Sequence, residues 1–173
     1  MNTSESAEKL RGWFTGRLPE GWFEGPPEVV LDREEVSVVG RLPEPTLAED
    51  VSDTERAAVL AGQIQRFREE TRDQRIAIAR EAEHRFGHKV SWGAACGDER
   101  EMFTTLSVPV MTRLRQSERR VLDTLVDAGV ARSRSDALAW CVRLVGKNTD
   151  EWLGELRNAL EYVERARAAG PNP

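Results

Sequence analysis

Residues 109–147 read PVMTRLRQSERRVLDTLVDAGVARSRSDALAWCVRLVGK. A short alternation of apolar and polar side chains comes first and predicts a strand over 110–114. Two patterns with apolar residues at i, i+3 and i+4 follow it and predict helices over 116–128 and 133–146. Gly129 suits the left-handed residue that commonly ends a helix. The segment therefore predicts a strand, a helix, a turn and a second helix.

The two predicted helices carry apolar faces that need a partner. The first face consists of Val121, Leu122, Leu125, Val126 and Ala128, and the second of Ala137, Leu138, Cys141, Leu144 and Val145. The second helix opens on Ser133-Arg134-Ser135-Asp136, which is similar to a capping box with Asp in place of the usual Glu or Gln. One short strand and two helices of this size cannot enclose a core alone. We therefore expect the chain to form a homodimer through this segment.

Three motifs in this segment resemble the ribbon-helix-helix family of DNA-binding proteins. They are Leu122-Asp123-Thr124-Leu125, Gly129-Val130 and Ser133-Arg134-Ser135-Asp136, and they occur in the order that the family shows. The resemblance covers residues 108–147 and no more of the chain. It implies a dimer whose two strands pair into an antiparallel ribbon that enters the major groove of double-stranded DNA.

The resemblance also implies roles for single side chains. Those facing the dimer core would be Val108, Val110, Thr112 and Leu114. The base-reading residues would be Met111, which can contact a thymine methyl group, and Arg113, which can bind a guanine through two hydrogen bonds. Phosphate groups favour the start of a helix, where N–H groups are unpaired and the dipole is positive. The implied phosphate-binding residues are Arg115, Arg132, Ser133, Arg134 and Ser135.

Pro109 leaves two arrangements of the strand region open, because a proline cannot donate to a sheet ladder. In the first, Met102–Val108 completes a hairpin with Lys89–Ala95, and Val110–Leu114 pairs with a second chain. In the alternative, residues 102–114 form a single strand inside the N-terminal sheet and no ribbon exists. The arginines at 113, 115, 119 and 120 would then be an ordinary solvated face.

The first hundred residues have a different pattern from the last seventy. Residues 1–27 are rich in Gly, Pro and aromatics, and they predict an irregular arm that its aromatic residues attach to a folded surface. Val29–Leu31 and Val36–Arg41 predict a hairpin with a four-residue loop. A Pro-rich linker over 42–53 precedes one long predicted helix over 54–86, capped by Ser52 or Asp53, with a possible break near Thr71 and an end at Gly87.

The predicted fold class is therefore α+β. An N-terminal hairpin–long helix–hairpin unit over 28–109 comes before the ribbon-helix-helix-like unit over 110–147, and a final helix covers 149–169. Lys89–Ala95 and Met102–Val110 are two strand-like runs around the Cys-Gly-Asp-Glu turn, and Met102–Val108 is expected to complete the second hairpin of the first unit with Lys89–Ala95.

Charge is unevenly distributed along the chain. The net charge is −5, which by itself argues against nucleic acid as a partner. Residues 1–53 hold 5 basic and 12 acidic side chains, whereas residues 111–147 hold 8 basic and 4 acidic ones. The basic part of the chain thus coincides with the segment that resembles DNA-binding proteins, although many soluble domains show similar unevenness.

The functional expectation is a cytoplasmic, dimeric DNA-binding protein, either a sequence-specific transcription regulator or a nucleoid-type binder. The alternative is a non-enzymatic protein-interaction adaptor that oligomerises through its C-terminal helices. No catalytic residue set and no cofactor site are evident. His84 and His88 have metal-ligand spacing but lack a third ligand, so no metal is expected. The N-terminal region is a possible surface for a protein partner, and no membrane segment is expected.

Overall fold

The computed structural model describes residues 3–48 and 50–170. The fold is α+β, with six helices and a four-stranded sheet within those residues. The elements are α1 (Thr3–Arg17), β1 (Glu28–Leu31), β2 (Glu35–Arg41), α2 (Asp53–Glu70), α3 (Arg72–Phe86), β3 (Lys89–Cys96), β4 (Glu99–Met102), α4 (Gln116–Asp127), α5 (Arg134–Asn148) and α6 (Asp150–Ala169). The chain forms two compact units, Met1–Val108 and Pro109–Pro173.

The sheet of the first unit has the strand order β1-β2-β3-β4. β1 and β2 form the predicted antiparallel hairpin, and the pairing of Leu31 with Val36 leaves four loop residues between them. The Asp32 carboxylate stabilises this loop by accepting hydrogen bonds from the Glu34 and Glu35 backbone N–H groups at 2.8 and 2.7 Å. β2 and β3 run parallel, so the two predicted hairpins are joined into one sheet.

A parallel pair needs a crossover connection, and here helices α2 and α3 supply it. Ser52 caps α2, since its Oγ accepts from the Glu55 N–H at 3.2 Å. The predicted break is confirmed at Thr71, whose backbone N–H and hydroxyl both donate to the Phe67 carbonyl. Gly87 ends α3 in the left-handed conformation, with φ of 77°. The core of the unit lies between these helices and the sheet.

The prediction of an irregular arm over residues 1–27 is wrong for its first part, because Thr3–Arg17 is a helix. Leu10 and Phe14 lie on one side of it and are buried in the same cluster as Trp92. The i, i+4 spacing of these two residues was the signal for a helix. Gly12 and Gly16 disfavour a helix locally, and burial of the apolar side chains outweighs that preference.

The prediction of a strand over Met102–Val110 is also wrong. The structure pairs Cys96 with Glu99 around a two-residue turn at Gly97 and Asp98, so β4 begins earlier and ends at Met102. β4 is a short edge strand with charged side chains. Charged side chains on an edge strand disfavour pairing with other chains and so reduce aggregation. The alternative of a single strand over 102–114 inside this sheet is wrong as well, because residues 103–115 belong to no strand of the chain.

The second unit consists of α4, α5 and α6. The predicted turn after α4 is confirmed, since Gly129 has φ of 73°. The Val130 N–H donates to the Leu125 carbonyl at 2.9 Å and the Gly129 N–H to the Val126 carbonyl at 3.0 Å, which is the hydrogen-bond pattern of a Schellman motif. This closure directs the chain from α4 into α5. Within the described residues, no helix combines the length and apolar character required to cross a bilayer.

Candidate nucleic-acid interface

The backbone of the segment before α4, residues 107–114, takes part in a single hydrogen bond in the described part of the chain. None of its N–H groups donates a hydrogen bond to another residue in the described part of the chain, and its lone accepting carbonyl is that of Leu114, bound by Arg119 Nη1 at 2.7 Å. The side chains of residues 107–113 are exposed as well, with Val110 at 85% and Met111 at 98%. A row of free backbone groups beside exposed apolar side chains is a template for strand pairing.

The core of the second unit is small. Of the apolar side chains in the described residues, fifteen are buried before Val108 and three after it: Leu122, Ala131 and Ala137. Leu114, Leu125, Val126, Leu138 and Cys141 pack around those three and stay partly exposed. The prediction of four core residues is wrong for the single chain, because no described residue of the unit covers that part of the helix faces. The four are Val121, Ala128, Leu144 and Val145, and all are exposed.

The start of α5 brings four of the predicted phosphate-binding residues together. Ser133 is the N-cap and accepts a hydrogen bond from the Asp136 N–H at 3.2 Å. The Arg134 and Ser135 N–H groups, in the first turn, have no acceptor among the described residues. The reciprocal half of the predicted capping box differs, because the Asp136 carboxylate accepts from the Arg132 N–H at 3.0 Å instead of from Ser133. That backbone hydrogen bond lowers the pKa of Asp136 below its ordinary value.

Arg134 is held in place by Asp123 of α4. Its Nε donates to Oδ1 at 2.6 Å and its Nη2 to Oδ2 at 2.8 Å, which is a two-point ion pair. The hydrogen bond lowers the pKa of the Asp123 carboxyl and raises that of the Arg134 guanidinium. Nη1 takes no part in the pair. This contact was not predicted from the sequence, although Asp123 lies within the Leu-Asp-x-Leu motif.

The other predicted site residues are exposed and more loosely held. The Arg132 side chain is 94% exposed, and its Nε lies 3.6 Å from Oδ2 of Asp136. Arg113 and Arg115, in the described structure, have no carboxylate within ion-pair distance. The Arg115 backbone N–H donates to Glu118 at 2.6 Å, which secures the beginning of α4. Among the described residues, the predicted site therefore has two guanidinium groups without an ion-pair partner, those of Arg113 and Arg115, and both come just before α4.

Ser133→Ala is expected to lower the free energy of unfolding by about 1 kcal/mol, since it removes the side-chain acceptor at the start of α5. Chemical unfolding followed by circular dichroism measures the change. Ser135→Ala is the matched control, because Ser135 caps nothing and its replacement is expected to leave stability unchanged within about 0.5 kcal/mol. Equal stability of the two variants would contradict the capping role.

Comparisons with known proteins match both units. Residues 8–102 match the family described as Rv1265-like protein, N-terminal domain, and residues 115–167 match the family described as Mb1296 C-terminal domain. The chain is 59% identical over 160 residues to the uncharacterized proteins Mb1296 of Mycobacterium bovis and Rv1265 of Mycobacterium tuberculosis, which covers 92% of this chain and 69% of each relative. No solved structure gives a significant match.

Proposed function

The chain belongs to the family of Rv1265-like proteins, and for it we propose the function of a dimeric DNA-binding protein of the ribbon-helix-helix kind. Residues 110–114 of two copies pair as antiparallel strands, and the ribbon that they form enters the major groove of double-stranded DNA. Such a protein acts as a transcription regulator or a nucleoid-type binder. It holds DNA by charge and shape and performs no reaction on it.

One observation carries the proposal: the unpaired, exposed backbone of residues 107–114 adjoins a helix pair with a three-residue core. Pairing of that backbone with its own copy supplies hydrogen-bond partners to the N–H groups. It also covers Val110, because alternate side chains of a strand point to the same face. Met111 and Arg113 then lie on the opposite face, away from the helices.

The second support is the placement of positive charge. Arg115 precedes α4, and Arg132 and Arg134 flank the capped start of α5. Asp123 fixes the orientation of the Arg134 guanidinium without using its Nη1 group, so that group can donate to a phosphate oxygen. Free N–H groups at a helix start add a further anion-binding contribution. These contacts hold any duplex and do not read its sequence.

The salt dependence of binding tests the proposal directly. Three phosphate-binding arginines in each of two protomers release about six counterions, so the affinity for a mixed duplex is expected to fall about 1000-fold between 50 and 200 mM salt. Fluorescence anisotropy of labelled duplex DNA with the full chain measures this fall. Sedimentation velocity on the same samples reports the oligomeric state.

The result that overturns the proposal is a dimer that does not bind DNA even at about 50 mM salt, where phosphate contacts are strong. A protein that is a monomer at the concentrations of the binding assay would contradict it equally, since the ribbon needs two chains.

The protein-interaction adaptor is the second candidate, and α6 favours it. This helix exposes an apolar stripe made of Trp152, Leu156, Leu160 and Val163. An exposed stripe of this kind is typical of a helix that docks on another protein. A dimer that fails to bind DNA would therefore support the adaptor.

A further inference from the structure

A cleft in the first unit lies between α3 and the sheet and has a volume of about 260 Å³. Its lining residues are Arg75, Ile76, Ala79, Arg80, Glu83, Val90, Trp92 and Thr104. We propose that this cleft binds a small organic anion, with a carboxylate or phosphate head against Arg75 and Arg80 and an apolar body against the aliphatic wall. The proposal is independent of DNA binding, which involves only residues of the second unit.

The burial of Arg75 is the central observation. The residue is only 5% exposed, yet no carboxylate among the described residues pairs with it. Its Nε donates to the Thr71 hydroxyl at 3.0 Å and its Nη2 to the Arg68 carbonyl at 2.7 Å. Nη1 has no acceptor in the described part of the chain. Buried charges in proteins are almost always paired, so a buried guanidinium that lines a cleft and has no carboxylate partner among the described residues indicates an anionic partner.

Neighbouring charges make the cleft positive. Arg68, which is close to Arg75, is neutralised by Glu101 at 3.0 Å. Arg80 has no ion-pair partner within the described ranges. The carboxylate of Glu83, which also lines the cleft, is bound by Lys89 Nζ at 2.9 Å. Within the residues that the structure describes, the guanidinium groups of Arg75 and Arg80 therefore have no counter-charge, and a ligand anion supplies one.

The stacking of Arg75 on Phe103, at 4.8 Å from the ring centroid, offsets only part of the burial of its charge. Burial lowers the pKa of the Arg75 guanidinium, and the charges of Arg68 and Arg72 lower it further. The charged form is thus destabilised in the free protein. A bound anion would relieve this destabilisation, which gives the ligand a source of binding free energy.

The remaining groups define the ligand further. The Thr104 hydroxyl oxygen accepts from the Trp92 backbone N–H at 3.0 Å, so its proton is free to donate. The Trp92 indole N–H is buried and has no acceptor among the described residues. Ile76, Ala79 and Val90 give the cleft an apolar wall. Hydrogen-bond donors beside aliphatic side chains suit an oxyanion that carries an apolar group, and they suit a bare ion less well.

The test uses the full chain and three probes of similar shape: benzoate, phenyl phosphate and neutral benzyl alcohol. The Trp92 indole signal in a proton–nitrogen NMR spectrum is the reporter, assigned as the one of the five tryptophan signals that Trp92→Phe removes. We expect one or both anions to shift this signal to saturation, with a dissociation constant of about 1 mM. The anion that binds more tightly shows whether the cleft prefers a carboxylate or a phosphate head group. Benzyl alcohol is expected to leave the signal in place.

Variants of α3 separate the site from a general effect of charge. Arg75→Met is expected to weaken the binding of the anion at least tenfold. Arg80→Met changes an exposed residue, keeps the fold, and is expected to weaken binding about threefold. Arg85→Met is the matched control, because Arg85 is an exposed arginine of the same helix that does not line the cleft. It should bind as the unchanged protein does.

Three outcomes would overturn the proposal. The first is that neither anion shifts the Trp92 indole signal at about 10 mM. The second is that benzyl alcohol shifts this signal as much as the anions do. The third is that the Arg75→Met and Arg80→Met variants both bind the anion as tightly as the unchanged protein does. If Arg75→Met fails to fold, Arg80→Met alone decides, since its loss of binding supports the site and its unchanged affinity rejects it. None of these readouts involves DNA, so failure here leaves the DNA-binding proposal untouched.

Discussion

Val110→Glu is expected to separate the dimer into single chains and to abolish binding to every duplex. In the single chain Val110 is exposed, so a glutamate at this position leaves the folded protomer intact. In the proposed dimer the same side chain is enclosed between the ribbon and the helices of two chains. A buried, unpaired carboxylate costs about 3 to 5 kcal/mol, and the dimer contains two of them. The dimer dissociation constant is expected to rise by more than about 100-fold.

Met111→Glu is the matched control for this prediction. Met111 is the neighbouring residue and is also exposed in the single chain, but its side chain would point to the opposite face of a paired strand. The Met111→Glu protein is therefore expected to remain a dimer and to bind DNA more weakly, since its carboxylate faces phosphates and bases. Sedimentation velocity measures the dimer, and circular dichroism confirms that both variants fold.

The pattern that would contradict the ribbon is a Val110→Glu protein that still dimerises as the unchanged protein does. Equal loss of dimer in both variants would also contradict it, because strand pairing requires neighbouring side chains to behave differently. The test does not depend on knowing which DNA sequence is bound.

Arg113→Ala is expected to weaken binding to the preferred duplex by about 1 to 3 kcal/mol and to leave the affinity for weakly bound duplexes nearly unchanged. The physical reason is that a guanidinium forms two hydrogen bonds with guanine that no other base accepts in the same geometry. Arg113 has no ion-pair partner in the described structure, so the substitution breaks no ion pair there. Competition between a selected duplex and random duplexes measures the preference.

Arg115→Ala provides the contrast. It removes a side chain assigned to phosphate, so it is expected to weaken all duplexes alike and to lower the salt slope by about 2 for the dimer. An Arg113→Ala protein that loses affinity for all duplexes equally would move Arg113 into the phosphate-binding group. The specificity of the protein would then have to come from the shape of the DNA.

Local signals in the sequence were sufficient to predict several elements of the fold. The end of α4 at Gly129, the cap of α5 at Ser133 and the break at Thr71 each depend on a few adjacent residues and their own backbone groups. The hairpin of β1 and β2 is equally local. These predictions are confirmed because the hydrogen bonds that specify them join residues close together in the chain.

Elements that depend on distant residues were predicted less well. Helix α1 was missed because its glycines oppose a helix, and it forms against side chains of the sheet and of α3. The predicted extent of β4 was wrong because a charged edge strand lacks the apolar alternation from which a strand is predicted. Among the candidate site residues, the arginines were found from the family resemblance, but their intramolecular partners were not.

The amino-acid sequence by itself determined the helix pair of the second unit, its caps and the excess of basic residues around it, because short-range hydrogen bonds and composition set all three. Only the tertiary structure decided that β2 and β3 are parallel neighbours, that Asp123 holds Arg134, and that Arg75 is buried with no carboxylate partner among the described residues. The reason is geometric: each of these features brings together side chains or strands that no local pattern relates, and folding alone selects which of them meet.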